Sequence, residues 1–403
     1  MLFLPKSITK KRVTIDKPSR RKFLRSAINI STGIIVGAAL RGRPSFASTT
    51  PARLYIGTYT NTAAKSEGIY RYSMNPDSGR LSRSAAFKSV NPSFLTIDSS
   101  RRFLYAVNEI GDFLGQPSGG VSAFAIDKLG DLRLLNEQAT RGADPCYLSI
   151  DQKNRTLLVA NYTGGNISVL PLRSDGTLSV VSEVKQHEGS GPKEQQKGPH
   201  AHCIIFDRLQ RHALAADLGI DKVMIYDFDR ATGKLTAGKQ PFAELQAGAG
   251  PRHLTFHPSG KFLYAICELD SALAAFKYDE ADGTLTHIDT VSTLPSDFSG
   301  TSYCADVHVS ASGKFLYGSN RGHNSIVVFE IDGGSGKLKL VEHVSTEGDW
   351  PRNFTLDPSG KFLLVANQRS DNVVSFAIDS QTGRLKSTGH TEHVPAPVCL
   401  RFL

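Results

Sequence analysis

The sequence predicts an all-β chain: a seven-bladed β-propeller with four antiparallel strands per blade, its ring closed by N- and C-terminal strands in one blade. Three observations carry that expectation. A strand–turn–strand unit recurs at intervals of about 47 to 53 residues, the length of one four-stranded blade with its loops. Two further alternating strands follow each copy. An orphan strand stands at each end of the array.

The clearest copy is Pro251–Ser271. Leu254 and Phe256 alternate with Thr255 and His257, a period of two. His257-Pro258-Ser259-Gly260 supplies turn residues, and Phe262 to Ile266 is an apolar run of strand length. The same pattern starts at Pro92, Pro145, Ala201, Cys304 and Pro351. Third strands are the alternating runs Val121–Ile126, Ile167–Leu170, Val223–Phe228, Leu273–Tyr278, Ile326–Ile331 and Val373–Ile378. Hairpin turns such as Gly283-Thr284-Leu285 lead into the fourth strands. At the ends, Leu54–Tyr59 reads as a second strand lacking a first, and Pro397–Phe402 as a first strand lacking a second. Together they complete a seventh blade and leave no long open edge.

The formal charge of +9 belongs to the N-terminus. Residues 1–47 hold 11 Lys+Arg and a single acidic residue, leaving 36 Lys+Arg against 37 Asp+Glu in 48–403. A nucleic-acid partner is therefore not expected. Ser19-Arg20-Arg21-Lys22-Phe23-Leu24-Arg25 resembles a twin-arginine export motif, with a mildly apolar Ala27–Leu40 and a small-x-small Ser45-Phe46-Ala47 behind it. Residues 1–47 thus read as a signal peptide served by the twin-arginine translocase, 48–403 as the propeller, and the mature protein as periplasmic or secreted. The apolar stretch is too short to span a bilayer, and no stable membrane association is expected. Five cysteines without a CxxC read as small buried hydrophobes, not a disulfide framework.

Aligning the copies brings two columns to one face of the disc, beside the axis. The start of the inner strand holds Ser93, Cys146, His202, Arg252, Ala305, Arg352 and Val398; the end of the second holds Tyr59, Glu109, Tyr162, Leu218, Glu268, Arg321 and Gln368. These columns diversify while the strand interiors stay alike. The longest loops, 109–120, 184–199 and 293–303, join at the same face, which marks a binding side. The chemistry on offer is attack of water on an anionic electrophile. Glu268 is the expected base, its pKa raised toward neutral by a dry mouth. Arg252 and Arg321 hold an anionic group and a developing oxyanion, and His202 donates to the leaving oxygen or orients the water. Asn161, Tyr162, His200, Asn320, Arg352 and Glu109 are expected to bind substrate. The competing readings are a structural ion-pair ring around the mouth and a non-catalytic secreted propeller that binds a ligand or protein at the cell envelope. His200 and His202, with His187 or Glu188, form a weaker zinc alternative. No glycine run fits a P-loop or dinucleotide fingerprint, and no cofactor is expected.

At these residues the chain resembles the propeller lactonase family, which includes bacterial 6-phosphogluconolactonases and the carboxymuconate lactonizing enzyme. Gly250–Pro258 with Glu268-Leu269-Asp270-Ser271, and Leu158-Val159-Ala160-Asn161-Tyr162, carry the resemblance across about residues 54–403. By resemblance, the family's site of one His, two Arg and one Glu falls on His202, Arg252, Arg321 and Glu268. It implies metal-free hydrolysis of an anionic or sugar lactone. The export leader departs from the cytoplasmic 6-phosphogluconolactonases and directs attention to an unphosphorylated or other external lactone.

Overall fold

The computed structural model describes residues 51–63 and 65–403. The expected leader, including Arg20 and Arg21, lies outside them. Among the described residues, 28 strands form seven four-stranded antiparallel sheets. Numbered from the composite blade, the inner strands are Pro397–Phe402, Leu95–Ile97, Pro145–Ile150, Ala201–Phe206, Pro251–Phe256, Tyr303–Val309 and Pro351–Leu356. Second strands such as Phe262–Cys267 and Phe362–Asn367 are buried at every residue. Fourth strands such as Thr284–Ser292 alternate between partial burial and solvent. The third strands, read as alternating runs in the sequence, are mostly buried as well, as in Ala272–Asp279, because blades pack on both faces; the exposed rim is the fourth strand.

The ring closes where the two termini meet. Pro397–Phe402 pairs with Ala52–Thr58, in register from Leu54 opposite Phe402 to Gly57 opposite Cys399, after which a shift sets Thr58 opposite Pro397. The closing strand is tied to both neighbouring blades. Leu400 N donates to Asn353 Oδ1 at 2.7 Å, and Arg401 Nε donates to Leu95 O at 2.9 Å. Adjacent blades share a second device. Tyr55, Tyr105, Tyr264 and Tyr317 each donate a hydroxyl hydrogen bond to the carbonyl of a glycine in the next blade, Gly130, Gly176, Gly336 and Gly383, at 2.7–3.1 Å. Gly383 has φ +72°, and a Cβ there would stand 2.5 Å from the Phe315 ring. That turn needs glycine for both conformation and space.

Six of the seven inner strands carry a register irregularity at their start. The residues skipped are Cys146, His202, Arg252, the pair Ala305 and Asp306, Arg352 and Val398. A bulge releases a residue from the ladder and re-aims its side chain. Here it turns the diversified column toward the axis. The long connections 109–119, 187–200 and 293–302 lie at this same end of the blades. All five cysteines are buried and free.

Deleting Pro397–Leu403 leaves blade one without its inner strand and exposes the edge of Ala52–Thr58. The expected result is a loss of several kcal/mol of stability and a lowered thermal midpoint. An unchanged midpoint in the truncated chain would contradict the closure.

Candidate active site

Arg252 leaves the ladder at its bulge and is 2 % exposed. Its Nη1 donates to Ala305 O at 2.6 Å and faces His253 Nε2 at 3.1 Å. Its Nε lies 2.8 Å from Glu268 Oε2, an ion pair without good hydrogen-bond direction. Glu268 ends the second strand of the same blade. Arg321, from blade six, brings Nη2 to the same Oε2 at 2.6 Å and donates to Cys304 O at 2.8 Å. Two guanidiniums from neighbouring blades thus converge on one carboxylate oxygen.

This corrects the expected protonation state of Glu268. Burial raises its pKa, but Arg321, Arg252 and Arg352 together outweigh burial, and the carboxyl is held below its ordinary value. The group is ionised at neutral pH and is not poised near seven. Burial pulls Arg321 down to about 10, which leaves it charged.

His202, Arg252, Arg352, Glu109 and Cys146 line a narrow axial cavity of about 10 Å³. Glu268 and Arg321 are not part of that lining; Glu268 joins it through its contact with Arg252. On the opposite side Arg352 Nη2 donates to Tyr59 OH at 2.8 Å, and Tyr59 donates to Glu109 Oε1 at 2.8 Å. Tyr162 stacks on His200, with ring centroids 4.5 Å apart, and meets His202 edge-on at 5.5 Å. These residues share one mouth, as the columns predict.

Asn161 and Asn320 do not reach it. Both are fully buried and turned into their blades. Asn161 Nδ2 donates to Asn166 Oδ1 and Ser168 Oγ at 2.7 and 2.9 Å. Asn320 Nδ2 donates to Thr293 O at 2.9 Å. Asn108 and Asn367 hold Val90 O and Thr346 O in the same way. This column anchors the chain as it crosses between blades, because successive residues of a strand face opposite sides. Of the two third ligands offered for zinc, His187 is already committed. His187 Nδ1 lies 2.6 Å from Asp217 Oδ2 and its Nε2 lies 2.7 Å from Tyr226 OH, so both nitrogens are engaged. No metal-binding cluster of three His, Cys, Asp or Glu occurs among the described residues.

Three residues escaped the columns. Asp306 is 4 % exposed and joins three blades. Its Oδ1 faces His253 Nδ1 at 2.8 Å; its Oδ2 faces His308 Nε2 at 3.1 Å and accepts from Asn353 Nδ2 at 2.5 Å. Given those partners, His253 carries its proton on Nδ1 and accepts from Arg252 at Nε2. Asp306 was hidden because it stands one residue past the column position Ala305, as His253 stands past Arg252 and Asn353 past Arg352. A carboxylate inside an otherwise apolar inner strand was the available signal. Trp350, the single tryptophan, precedes Pro351-Arg352 and rests against Arg321, its ring centroid 5.2 Å from the guanidinium carbon.

A closed ring with an arginine-rich axial mouth defines a propeller built to receive a small anionic or polar ligand. Residues 53–402 match the family described as lactonase, 7-bladed β-propeller. A 6-phosphogluconolactonase of Bacillus subtilis is 42% identical over 353 residues, 87% of this chain and 97% of its own. One from Formosa agariphila is 36% identical over 311 residues, 76% and 86% of the two chains. The solved structure of a periplasmic gluconolactonase from Pseudomonas aeruginosa is 35% identical, covers 87% of this chain and 99% of that one, and superposes with a TM-score of 0.82. The chain belongs to the seven-bladed β-propeller lactonase family.

The site leaves a signature in the pH dependence of stability. Burial, with Arg252 beside them, lowers His202 well below the ordinary histidine value and His253 to about 4. In the unfolded chain both titrate near about 6.5, so there the unfolded state binds the proton first. Their stabilising contribution is full above that value and declines as pH falls toward about 4. The thermal midpoint should therefore drop across this window, before carboxylates protonate, and drop less in His202→Gln. A flat profile over that range in the wild type would contradict the two neutral histidines.

Proposed function

We propose that the protein opens the ring ester of a sugar lactone by adding water, with Glu268, His202, Arg252 and Arg321 as the reacting site. The observation that carries this reading is the sharing of Glu268 Oε2 between Arg252 and Arg321, at 2.8 and 2.6 Å, while no ion pair with a described residue engages Oε1. Oε1 orients the attacking water and takes its proton. The water oxygen bonds to the lactone carbonyl carbon, and negative charge develops on the carbonyl oxygen.

The lowered pKa makes Glu268 an intrinsically weak base, and the arginines compensate. As Glu268 is neutralised, the two guanidiniums lose one anion and gain another, the oxyanion, within the same pocket. Net charge there stays constant through the step, so a buried site need not solvate a new charge. Collapse of the tetrahedral intermediate breaks the bond to the ring oxygen, which recovers the proton from Glu268 and leaves a hydroxy acid. His202, neutral and buried, orients the water or the ring oxygen by hydrogen bonding. Arg352, Glu109, Tyr162 and His200 contact the sugar around the mouth.

Glu268→Gln keeps the shape and removes the base; kcat should fall by about 10²–10⁴-fold with little change in KM. Arg252→Ala and Arg321→Ala should lower kcat and also raise KM, and His202→Ala should fall between. EDTA should leave the rate unchanged. Assays on purified mature protein with glucono-lactone and 6-phosphogluconolactone read all of these. Full activity in Glu268→Gln removes Glu268 from the mechanism.

We infer from the leader that this chemistry runs outside the cytoplasm, after delivery by the twin-arginine translocase. The periplasmic relative from Pseudomonas aeruginosa supports that reading, and the substrate then is a lactone met in the envelope or beyond. Replacing Arg20 and Arg21 by Lys should leave the precursor in the cytoplasm. Normal delivery of the double variant, followed by cell fractionation, would overturn this route.

A further inference from the structure

Trp350 has φ +68°, a left-handed conformation that a bulky aromatic residue rarely adopts. Local bonds hold it there. Trp350 N donates to Asn324 Oδ1 at 3.0 Å, Asn324 Nδ2 donates to Asp349 Oδ1 at 2.9 Å, and Asp349 N donates to Ser370 Oγ at 2.8 Å. The indole so fixed contacts two guanidiniums. Arg321 lies 5.2 Å from the ring centroid and Arg369 lies 3.4 Å from it.

The two cations differ in what neutralises them. Arg321 is paired with Glu268. Arg369 is exposed, and among the described residues its guanidinium has no ion pair and no hydrogen bond; the indole alone orders it. Arg252 and Arg321 share Glu268 and Arg352 faces Glu109, so Arg369 is the guanidinium of this group without a carboxylate partner among the described residues. A guanidinium stacked by its face keeps its N–H edge open for two-point binding of a carboxylate or phosphate. Holding it on the indole also removes part of the ordering cost of binding.

We propose that Arg369, laid on Trp350, binds an anionic substituent remote from the ester and thereby selects acidic sugar lactones over neutral ones. The substituent is a phosphate or a second carboxylate, which present the same oxygen geometry to the guanidinium. The inference rests on the lactonase reading above. Arg252 and Arg321 then meet the ester oxygen, Arg369 meets the far anion, and the two contacts fix the ring between them.

The test compares 6-phosphogluconolactone, a glucaric acid lactone and neutral glucono-lactone as substrates of the full mature protein and of Arg369→Gln and Arg369→Lys. Arg369→Gln should raise KM about tenfold or more on at least one acidic lactone, leave the neutral lactone within about twofold, and be partly restored by Lys. Loss confined to one acidic substrate identifies its anion as the one recognised. Because Trp350 is the sole tryptophan, its emission should also respond saturably to 6-phosphogluconate or glucarate in the wild type and not in Arg369→Gln. Equal loss on all three lactones, or no loss on either acidic one, would overturn the selection role. A wild type that hydrolyses none of the three while its tryptophan emission still responds would sink the lactonase reading and leave the anion site standing. Emission that responds identically with and without Arg369 would sink the anion site alone.

Discussion

Everything at the mouth depends on the ring being closed. Each blade is a modest sheet that cannot bury both faces by itself, so its neighbours on either side supply the rest of its core. Closure by Pro397–Phe402 converts a row of blades into a structure with no exposed end. It also fixes how closely the inner strands approach the axis. That crowding is why one or two skipped residues in six of the inner strands, with the residues that follow the second strands, suffice to fill the centre with arginine, histidine and carboxylate side chains.

Asp306 shows how such a centre is kept in order. A buried carboxylate without partners is costly, but this one accepts from side chains of three blades and its pKa is held well below the usual range, the histidines and hydrogen bonds around it outweighing burial. Through His253 it fixes the orientation of Arg252, and through Arg252 that of Glu268. The path from scaffold to site is a chain of hydrogen bonds that ends in the Arg252–Glu268 ion pair. The feature that stabilises the axis is therefore the one that aims the functional arginine.

Much of this was legible in the residues. The repeat period, the two orphan strands and the hairpin glycines define the architecture, because backbone periodicity and turn chemistry are local properties. The columns also isolate Arg252, Glu268, Arg321 and His202, since position within a repeat implies position on the disc. What could not be read is how side chains on one face answer one another. The lowered pKa of Glu268 comes from a second arginine in another blade. Asn161 and Asn320 sit one residue from the mouth yet point away from it. Asp306 lies one residue past the column, at the position of His253 and Asn353, and is known only by the side chains that meet it. Trp350 gains its meaning only from Arg369, which a later turn brings to it.

The composite blade has a consequence for the order in which the protein is made. Six blades can assemble as the chain emerges from the ribosome, but the strand that locks them follows all the other described strands in the chain. Until it is released, Ala52–Thr58 waits with an unpaired edge and the seven inner strands cannot surround the axis. The site is therefore assembled late, by residues far apart in the chain. A chain that stops short of Pro397 has an open array with neither a closed ring nor a finished mouth.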